Sequence, residues 1–446
     1  MKSVLKRIIV VSYIIIFALF LGACSALFLT ERQNYIKING THFELNGKSY
    51  YFEGANFWTA AYFGASGQIG DRERLTRELD ELQSLGITNL RILGASEQSI
   101  KRGVVKPGFI TGPGLYNEEL LKGMDFLLSE MKKRDMHAVI FLTNTWEWSG
   151  GMGQYNVWAD DSNSVDAVVP GMNYPEYMNY VATFYRSEKA KKIYYKYLYT
   201  LITRKNAYTG SYYYEDPAIM AWEIANEPRP GQGEEAEKWL DEYYRWINST
   251  ALYIHTLDPN HLVSTGSEGI VGSIDSAQVY VNANQSKYID YLTFHLWPKD
   301  WSWFNINEAD STYPSTEINS VNYINEHIKL AGELGKPVVL EEFGLQRDNS
   351  IIPGTPTVFR DKFYNTILSL VYNSASSGSP VAGAAFWLWG GEGASKIGSY
   401  KWGFGSNNGM VDDDNSVYDA DISTLNILKE YAGKFNSLIM KNFILN

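Results

Sequence analysis

The feature that most constrains this chain is an alternation of short apolar runs with amphipathic stretches, repeated eight times. The runs fall at 49–56, 88–93, 137–144, 219–226, 261–268, 289–296, 337–344 and 381–389. Each is nearly continuous in apolar residues, which suits parallel strands buried on both faces. Helical stretches occupy 71–85, 118–134, 175–205, 234–257, 316–334, 359–374 and 424–442, with the weakest helical signal between the fifth and sixth runs. Eight β/α units in one chain predict an α/β fold, a single (β/α)8 TIM barrel. A doubly wound open sheet would place a glycine-rich phosphate loop after its first strand. Here the first run instead continues into bulky Phe57 and Trp58. A hairpin over 36–50, turning at Asn46-Gly47, is expected to close the barrel bottom. No Pro/Ser-rich linker divides residues 35–446, which read as one domain.

The first residues read as an address. Lys2, Lys6 and Arg7 precede an apolar stretch from Ile8 to Leu21. That stretch is shorter than the roughly 20 residues a transmembrane helix needs. It ends in Leu21-Gly22-Ala23-Cys24, which resembles the lipobox of bacterial lipoproteins, whose Cys is acylated and becomes the new N-terminus. Cys24 is the only cysteine, so it has no internal disulfide partner. The expectation is a signal peptide over 1–23, lipidation at Cys24 and a short tether over 24–34. The protein is then extracytoplasmic, held at an outer membrane or cell surface, or secreted. A plain signal peptide that happens to contain Cys is the alternative.

Charge and composition narrow the partners. Asp and Glu number 50 against 39 Lys and Arg, a net −11. Phosphate backbones need a basic face, so no nucleic-acid partner is expected. Aromatic residues make up 15% of the chain, including 13 Trp. Most fill a large core, but some suit a sugar cleft, because sugar rings stack an apolar face on an indole. None of the six His pairs with another at metal-ligand spacing on a helix, so no metal and no cofactor is expected. A monomer is expected.

In a (β/α)8 barrel the chemistry sits at the C-terminal strand ends. Two carboxylates stand there, Glu227 at the end of the fourth run and Glu342 at the end of the seventh. Opposite sides of a barrel mouth can hold two carboxyls about 5 Å apart, the separation of a retaining glycosidase. Glu341 competes with Glu342. Strict period-two alternation would turn Glu341 away from the cleft.

These segments resemble glycoside hydrolase family 5, and within it the endo-β-1,4-mannanases, over roughly residues 45–440. The resemblance rests on GANFW at 54–58, NLRI at 89–92, LTNTWEWSGGMGQY at 142–155 and DPAIMAWEIANEPR at 216–229. It continues through GSEG at 266–269, TFHLWPKDW at 293–301, KPVVLEEFG at 336–344 and AAFWLWGG at 384–391. It implies that Glu227 is the acid/base and Glu342 the nucleophile. Arg91 matches the arginine beside the nucleophile, and Asn226 the asparagine that bonds the sugar 2-hydroxyl. His295 matches the histidine near the acid/base, and Trp387 the indole floor of the −1 subsite. Asn144, Trp146, Trp148 and Trp58 are expected to line further subsites. Trp297 departs from the pattern, since many relatives carry Tyr there. The implied substrate is β-mannan polysaccharide or oligosaccharide. A β-1,4-glucanase, an exo-acting β-mannosidase, or a lipoprotein that binds glycan without cleaving it are the competing readings. The insertion over 156–173 is expected to wall off one end of the cleft.

Overall fold

The computed structural model describes residues 35–101, 104–160, 173–348, 355–392 and 415–441. The expected signal peptide, Cys24 and the expected tether lie outside the described residues, as does 161–172 of the insertion.

The chain opens with a three-stranded antiparallel meander, β1 (Lys37–Asn39), β2 (His42–Leu45) and β3 (Lys48–Tyr50). The expected hairpin is therefore one strand richer. Asn46 and Gly47 both take positive φ, 55° and 77°, at the turn between β2 and β3, the conformation that selects Asn-Gly there. Phe43 and Tyr50 of the meander share a buried cluster with Phe52, Leu262, Val339 and Ala382 from the lower ends of the barrel strands. The meander thus plugs the barrel bottom.

Eight parallel strands follow: β4 (Phe52–Asn56), β5 (Asn89–Leu93), β6 (His137–Phe141), β7 (Ile219–Glu223), β8 (Leu262–Ser264), β9 (Leu292–Leu296), β10 (Val338–Phe343) and β11 (Val381–Phe386). They form one sheet in the order β8-β7-β6-β5-β4-β11-β10-β9. Its two ends meet through Asp290 N to Val263 O at 2.8 Å and His295 N to Glu268 O at 3.0 Å. The sheet thereby curls into the predicted barrel. Nearly every strand residue is buried, because helices cover the outer face and side chains fill the inner one.

Each strand leads to a helix: α1 (Arg72–Ser84), α2 (Glu118–Lys132), α3 (Glu188–Ile202), α4 (Leu240–Leu257), α5 (Ala277–Asn284), α6 (Ala309–Leu334), α7 (Val358–Ser376) and α8 (Ile422–Lys441). Their starts are chemically marked. Asp71 accepts from Arg74 N, Asn117 from Leu120 N and Ser187 from Ala190 N, which satisfies amides that helix geometry leaves unpaired. The long helix expected over 175–205 is broken: Tyr174–Ala182 and α3 are separated by a tight turn over Thr183–Arg186. α5 is short, in line with its weak signal.

Candidate active site

β7 ends at Glu223, but its ladder continues in single bonds. Ile224 N reaches Ser264 O, Asn226 N reaches Thr143 O at 2.8 Å, and Glu227 N reaches Gly266 O at 2.8 Å. Alternate bonds to both neighbours carry the chain to the barrel mouth. There Glu227 takes φ 50°, a left-handed conformation in a residue with a side chain. Such strain persists only where the surroundings over-determine it, and it gathers at functional sites.

β10 delivers the second carboxyl through a bulge. Phe294 pairs with Leu340, but the next residue, His295, pairs with Glu342, so Glu341 is extra. The ladder to β11 slips over the same residues. An extra residue breaks the in-out alternation. As a result Glu341 and Glu342 both point inward, each 3% exposed. Glu341 does not line the cleft, but it turns into the barrel below it, which strict alternation would not allow. It lies deeper than Glu342, which lines the cleft.

The carboxyls of Glu227 and Glu342 are held by different partners. Glu342 Oε1 accepts from Arg91 Nη1. Glu227 Oε2 accepts from the indole N–H of Trp146. Between them stands His295, with Nδ1 2.6 Å from Glu227 Oε1 and 3.3 Å from Glu342 Oε2. Burial, and then the charge on Arg91, hold His295 well below the usual imidazole range, so it is neutral. Burial pushes Glu342 well above the ordinary carboxylate range, and Arg91 opposes that push. Donor atoms of Glu227, His295 and Glu342 all lie within 4.8 Å of one another. Metal ligands can share such spacing, but here each carboxyl is already taken by Trp146, His295 or Arg91.

Arg91, 1% exposed, organises the floor. Its Nε bonds Glu223 Oε2 at 2.8 Å, Nη1 also bonds Asn56 Oδ1 at 3.1 Å, and Nη2 bonds Asn226 Oδ1 at 2.7 Å. Asn226 Nδ2 gives one proton to Asn144 Oδ1 at 3.0 Å. That fixes the amide with its second N–H available to a ligand.

Above this floor is a cleft of about 650 Å³, within the usual range for small-ligand sites. Of the predicted residues, Trp146, Trp148, Asn226, Glu227, Trp297, Glu342 and Trp387 line it. Trp297 and Trp387 meet edge to face at 6.1 Å. Gly344, which closes the Glu-Phe-Gly motif, must stay small. A Cβ there would lie 3.1 Å from the Trp297 ring and 3.1 Å from Trp387 O.

Other predicted residues are placed differently. Arg91 and His295 act through the carboxyls from below. Asn144 is fully buried and orients Asn226 and the Trp146 backbone. Trp58 is 1% exposed and packs behind Trp148, ring centroids 5.3 Å apart, so it supports the cleft wall and does not line it. The sequence reading missed a cluster on the Glu227 side. Glu268 accepts from Arg229 Nη2 and, at 3.2 Å, from the Trp301 indole. Arg229 also reaches the Tyr174 hydroxyl and lies over the Trp146 ring. GSEG and NEPR both lie within motifs already singled out, so their charged residues were the available signal.

The family model described as GH family 5 beta-mannosidase-like matches residues 33–440. A putative mannan endo-1,4-β-mannosidase 4 of Arabidopsis thaliana is 31% identical over 420 residues, covering 91% of this chain and 92% of that protein. A mannan endo-1,4-β-mannosidase 4 of Solanum lycopersicum is 29% identical, covering 82% and 86%. Among solved structures, a family 5 mannosidase from Rhizomucor miehei superposes with a TM-score of 0.82 at 31% identity, covering 92% of this chain and 99% of its own. An endo-1,4-β-D-mannanase from Thermotoga petrophila gives 0.64 at 27% identity, covering 86% and 99%. With both carboxyls at the strand ends and the match spanning nearly the whole barrel, the chain belongs to glycoside hydrolase family 5, in its β-mannosidase-like group.

Proposed function

We propose that this protein is a retaining endo-β-1,4-mannanase that cleaves internal bonds of mannan, glucomannan or galactomannan. The observation that carries the mechanism is the spacing of Glu227 and Glu342, whose oxygens approach within 4.8 Å. Inverting enzymes hold their carboxyls roughly 6.5–9.5 Å apart to admit a water, whereas retaining ones hold them about 5–5.5 Å apart. The substrate follows from relatives named mannan endo-1,4-β-mannosidases.

The residues divide the work. Glu342, set against Arg91, attacks the anomeric carbon while Glu227 protonates the departing glycosidic oxygen. Asn226 Nδ2 offers its second proton to the 2-hydroxyl, a bond that strengthens as the sugar becomes oxocarbenium-like. Trp387 supplies an apolar face beneath that ring. Water then enters on the leaving-group side, Glu227 takes its proton, and the glycosyl ester on Glu342 breaks with net retention.

A second reading, an exo-acting β-mannosidase, draws on the R. miehei mannosidase, which superposes at 0.82 against 0.64 for the T. petrophila mannanase. One of its structures is a complex with mannosyl-fructose. Sizing early products from mannan and β-1,4-manno-oligosaccharides decides between them. An endo enzyme releases mixed lengths at once, while an exo enzyme releases mannose alone. Time-resolved NMR of the same reaction must show the β-anomer first. An initial α-anomer refutes the double displacement. Higher turnover on a pure β-1,4-glucan refutes the mannanase reading.

The proposal extends to location: export under residues 1–23 and acylation at Cys24, supported by Leu21-Gly22-Ala23-Cys24 behind a basic and then apolar segment.

A further inference from the structure

Below the two reacting carboxyls lies a second pair that the mechanism above does not use. Glu223 closes β7, and Glu341 is the bulged residue of β10. They are 0% and 3% exposed. Both face Arg91, whose Nε is 2.8 Å from Glu223 Oε2 and 3.5 Å from Glu341 Oε2. Nη1 of the same guanidinium holds Glu342. One permanent cation therefore faces three buried carboxyls. Among the described residues, Arg91 is their only Arg or Lys ion-pair partner. Arg229, the next cation, is engaged by Glu268.

The unpartnered atoms point the same way. Among the described residues, Glu223 Oε1, Glu341 Oε2 and His295 Nε2 are buried without a hydrogen-bond partner. His295 Nε2 faces Glu341 Oε2 at 3.8 Å. A neutral His295 that gives its Nδ1 proton to the catalytic carboxyls leaves Nε2 as an acceptor in need of a donor. Two carboxylates buried against one side of a single guanidinium are a costly arrangement, and one proton held between them relieves it. Glu342 has donors on both sides, Arg91 and His295, and Glu227 lies beyond His295. The other titratable groups acting on Glu341 are phenols: Tyr280, whose hydroxyl donates to Thr293 O, and Tyr291. Neither supplies a cation.

We propose that Glu223 and Glu341 share one proton in the working enzyme and act as positioning residues that fix Arg91 under Glu342 without drawing off its charge. This rests on the reading of Glu342 as nucleophile. Burial, and then the Glu223 charge, push Glu341 well above the ordinary carboxylate range, in the same sense. Were both ionised, Arg91 would be divided among three anions, and Glu342 would hold its own proton more tightly.

The test is a set of variants read by kinetics and by proton linkage. Glu341→Ala should lower kcat by roughly 10- to 100-fold with KM little changed, since the Arg91 anchor relaxes. It should also move the acidic limb of the pH profile. Glu341→Gln, which imitates the protonated acid, should restore kcat to within about threefold of wild type, the scale of one neutral hydrogen bond. Above about pH 5 the wild-type folding constant carries a penalty approaching tenfold per pH unit from this proton, and Glu341→Gln should remove it. Neutron diffraction of the wild-type protein at neutral pH should find a deuteron between the two carboxyls. The proposal is overturned if Glu341→Gln is as inactive as Glu342→Gln, if it keeps the wild-type pH slope, or if no deuteron lies there. Should Glu341→Gln fail to fold, Glu223→Gln carries the same expectations. An active Glu342→Gln would instead overturn the nucleophile assignment.

Discussion

Trp146 and Glu227 are joined at the barrel mouth between neighbouring strands, the indole N–H of one donating to the carboxyl Oε2 of the other. The bond ties the loop after β6 to the loop after β7. With His295 on the second oxygen, it fixes the plane in which Glu227 presents its proton. Trp146→Phe keeps the ring and removes the donor. A hydrogen bond to a charged group contributes about 1.5–3 kcal/mol, so kcat on mannan should fall by roughly 10- to 100-fold. Activated aryl mannosides leave with little protonation, so their turnover should fall much less, and Glu227→Ala should show the same contrast more strongly. Equal losses on both substrate classes would mean that Trp146 serves binding alone.

The pH dependence follows from Glu342. Burial raises its affinity for a proton, and Arg91 offsets that only in part. Attack requires the ionised form, so activity is lost as pH falls through a value above the ordinary carboxylate range, near 4.5. The acidic limb of kcat/KM should therefore lie above that range. The stability sign is opposite. A carboxyl whose folded pKa is raised favours the fold at low pH, and that contribution is lost as pH rises through the folded value. Glu342→Gln should thus be inactive yet more heat-stable than wild type at neutral pH, by on the order of a few degrees in Tm. The difference should shrink toward pH 4. A Tm difference that is flat across pH would contradict it.

Much of this was legible in the sequence because its period is regular. Eight apolar runs gave all eight barrel strands, and the strand-end rule singled out Glu227 and Glu342. The rest depends on features that period counting does not register. A bulge inserts Glu341 into β10, so its side chain turns into the barrel beneath the cleft, a place that alternation alone does not register. Trp58 sits in a motif but packs behind Trp148, because the chain turns into a short helix over Ala60–Gly64. Glu223 ends a run that reads as apolar, and only the fold brings it against Arg91, from a strand far away in sequence. Arg229 and Glu268 meet for the same reason.

Cys24 gives a prediction that needs no kinetics. The wild-type chain should partition into membranes with an acyl modification, and Cys24→Ser should be neither acylated nor retained. Activity of the freed protein should be unchanged, because the barrel strands begin at residue 52 and the cleft lies at the strand ends opposite the meander. Two acyl chains anchor stably where one is marginal, so partial release would indicate incomplete acylation. Wild-type protein that carries no lipid and stays in the soluble fraction would sink the idea.

The Arg229–Glu268 pair bears on the leaving-group side of the cleft. In the proposed mechanism Glu227 protonates the departing oxygen, so the residues grouped around it would face the sugar that leaves, and Trp387 and Glu342 the sugar that stays. Arg229, Glu268, Trp301 and Tyr174 all line the cleft and bond one another. Burial raises Glu268, and Arg229 opposes that. Removing Arg229 leaves a buried carboxyl without its cation, so Arg229→Ala should be destabilising, in keeping with the cost of breaking buried pairs. Arg229→Lys keeps the charge but loses the fork that reaches Glu268 and Tyr174 together. With that variant, kcat/KM on manno-oligosaccharides should fall by about tenfold, a loss of roughly 1.4 kcal/mol. An aryl mannoside, whose leaving group makes no sugar contacts there, should lose little. Glu268→Gln should follow the same pattern, because its contacts are to Arg229 and Trp301 and not to the reacting atoms. If instead both substrates suffer alike, the pair does not serve the leaving-group side; a spared aryl mannoside together with a shifted pH profile in Arg229→Lys would mean that the pair acts by holding Glu227 in place.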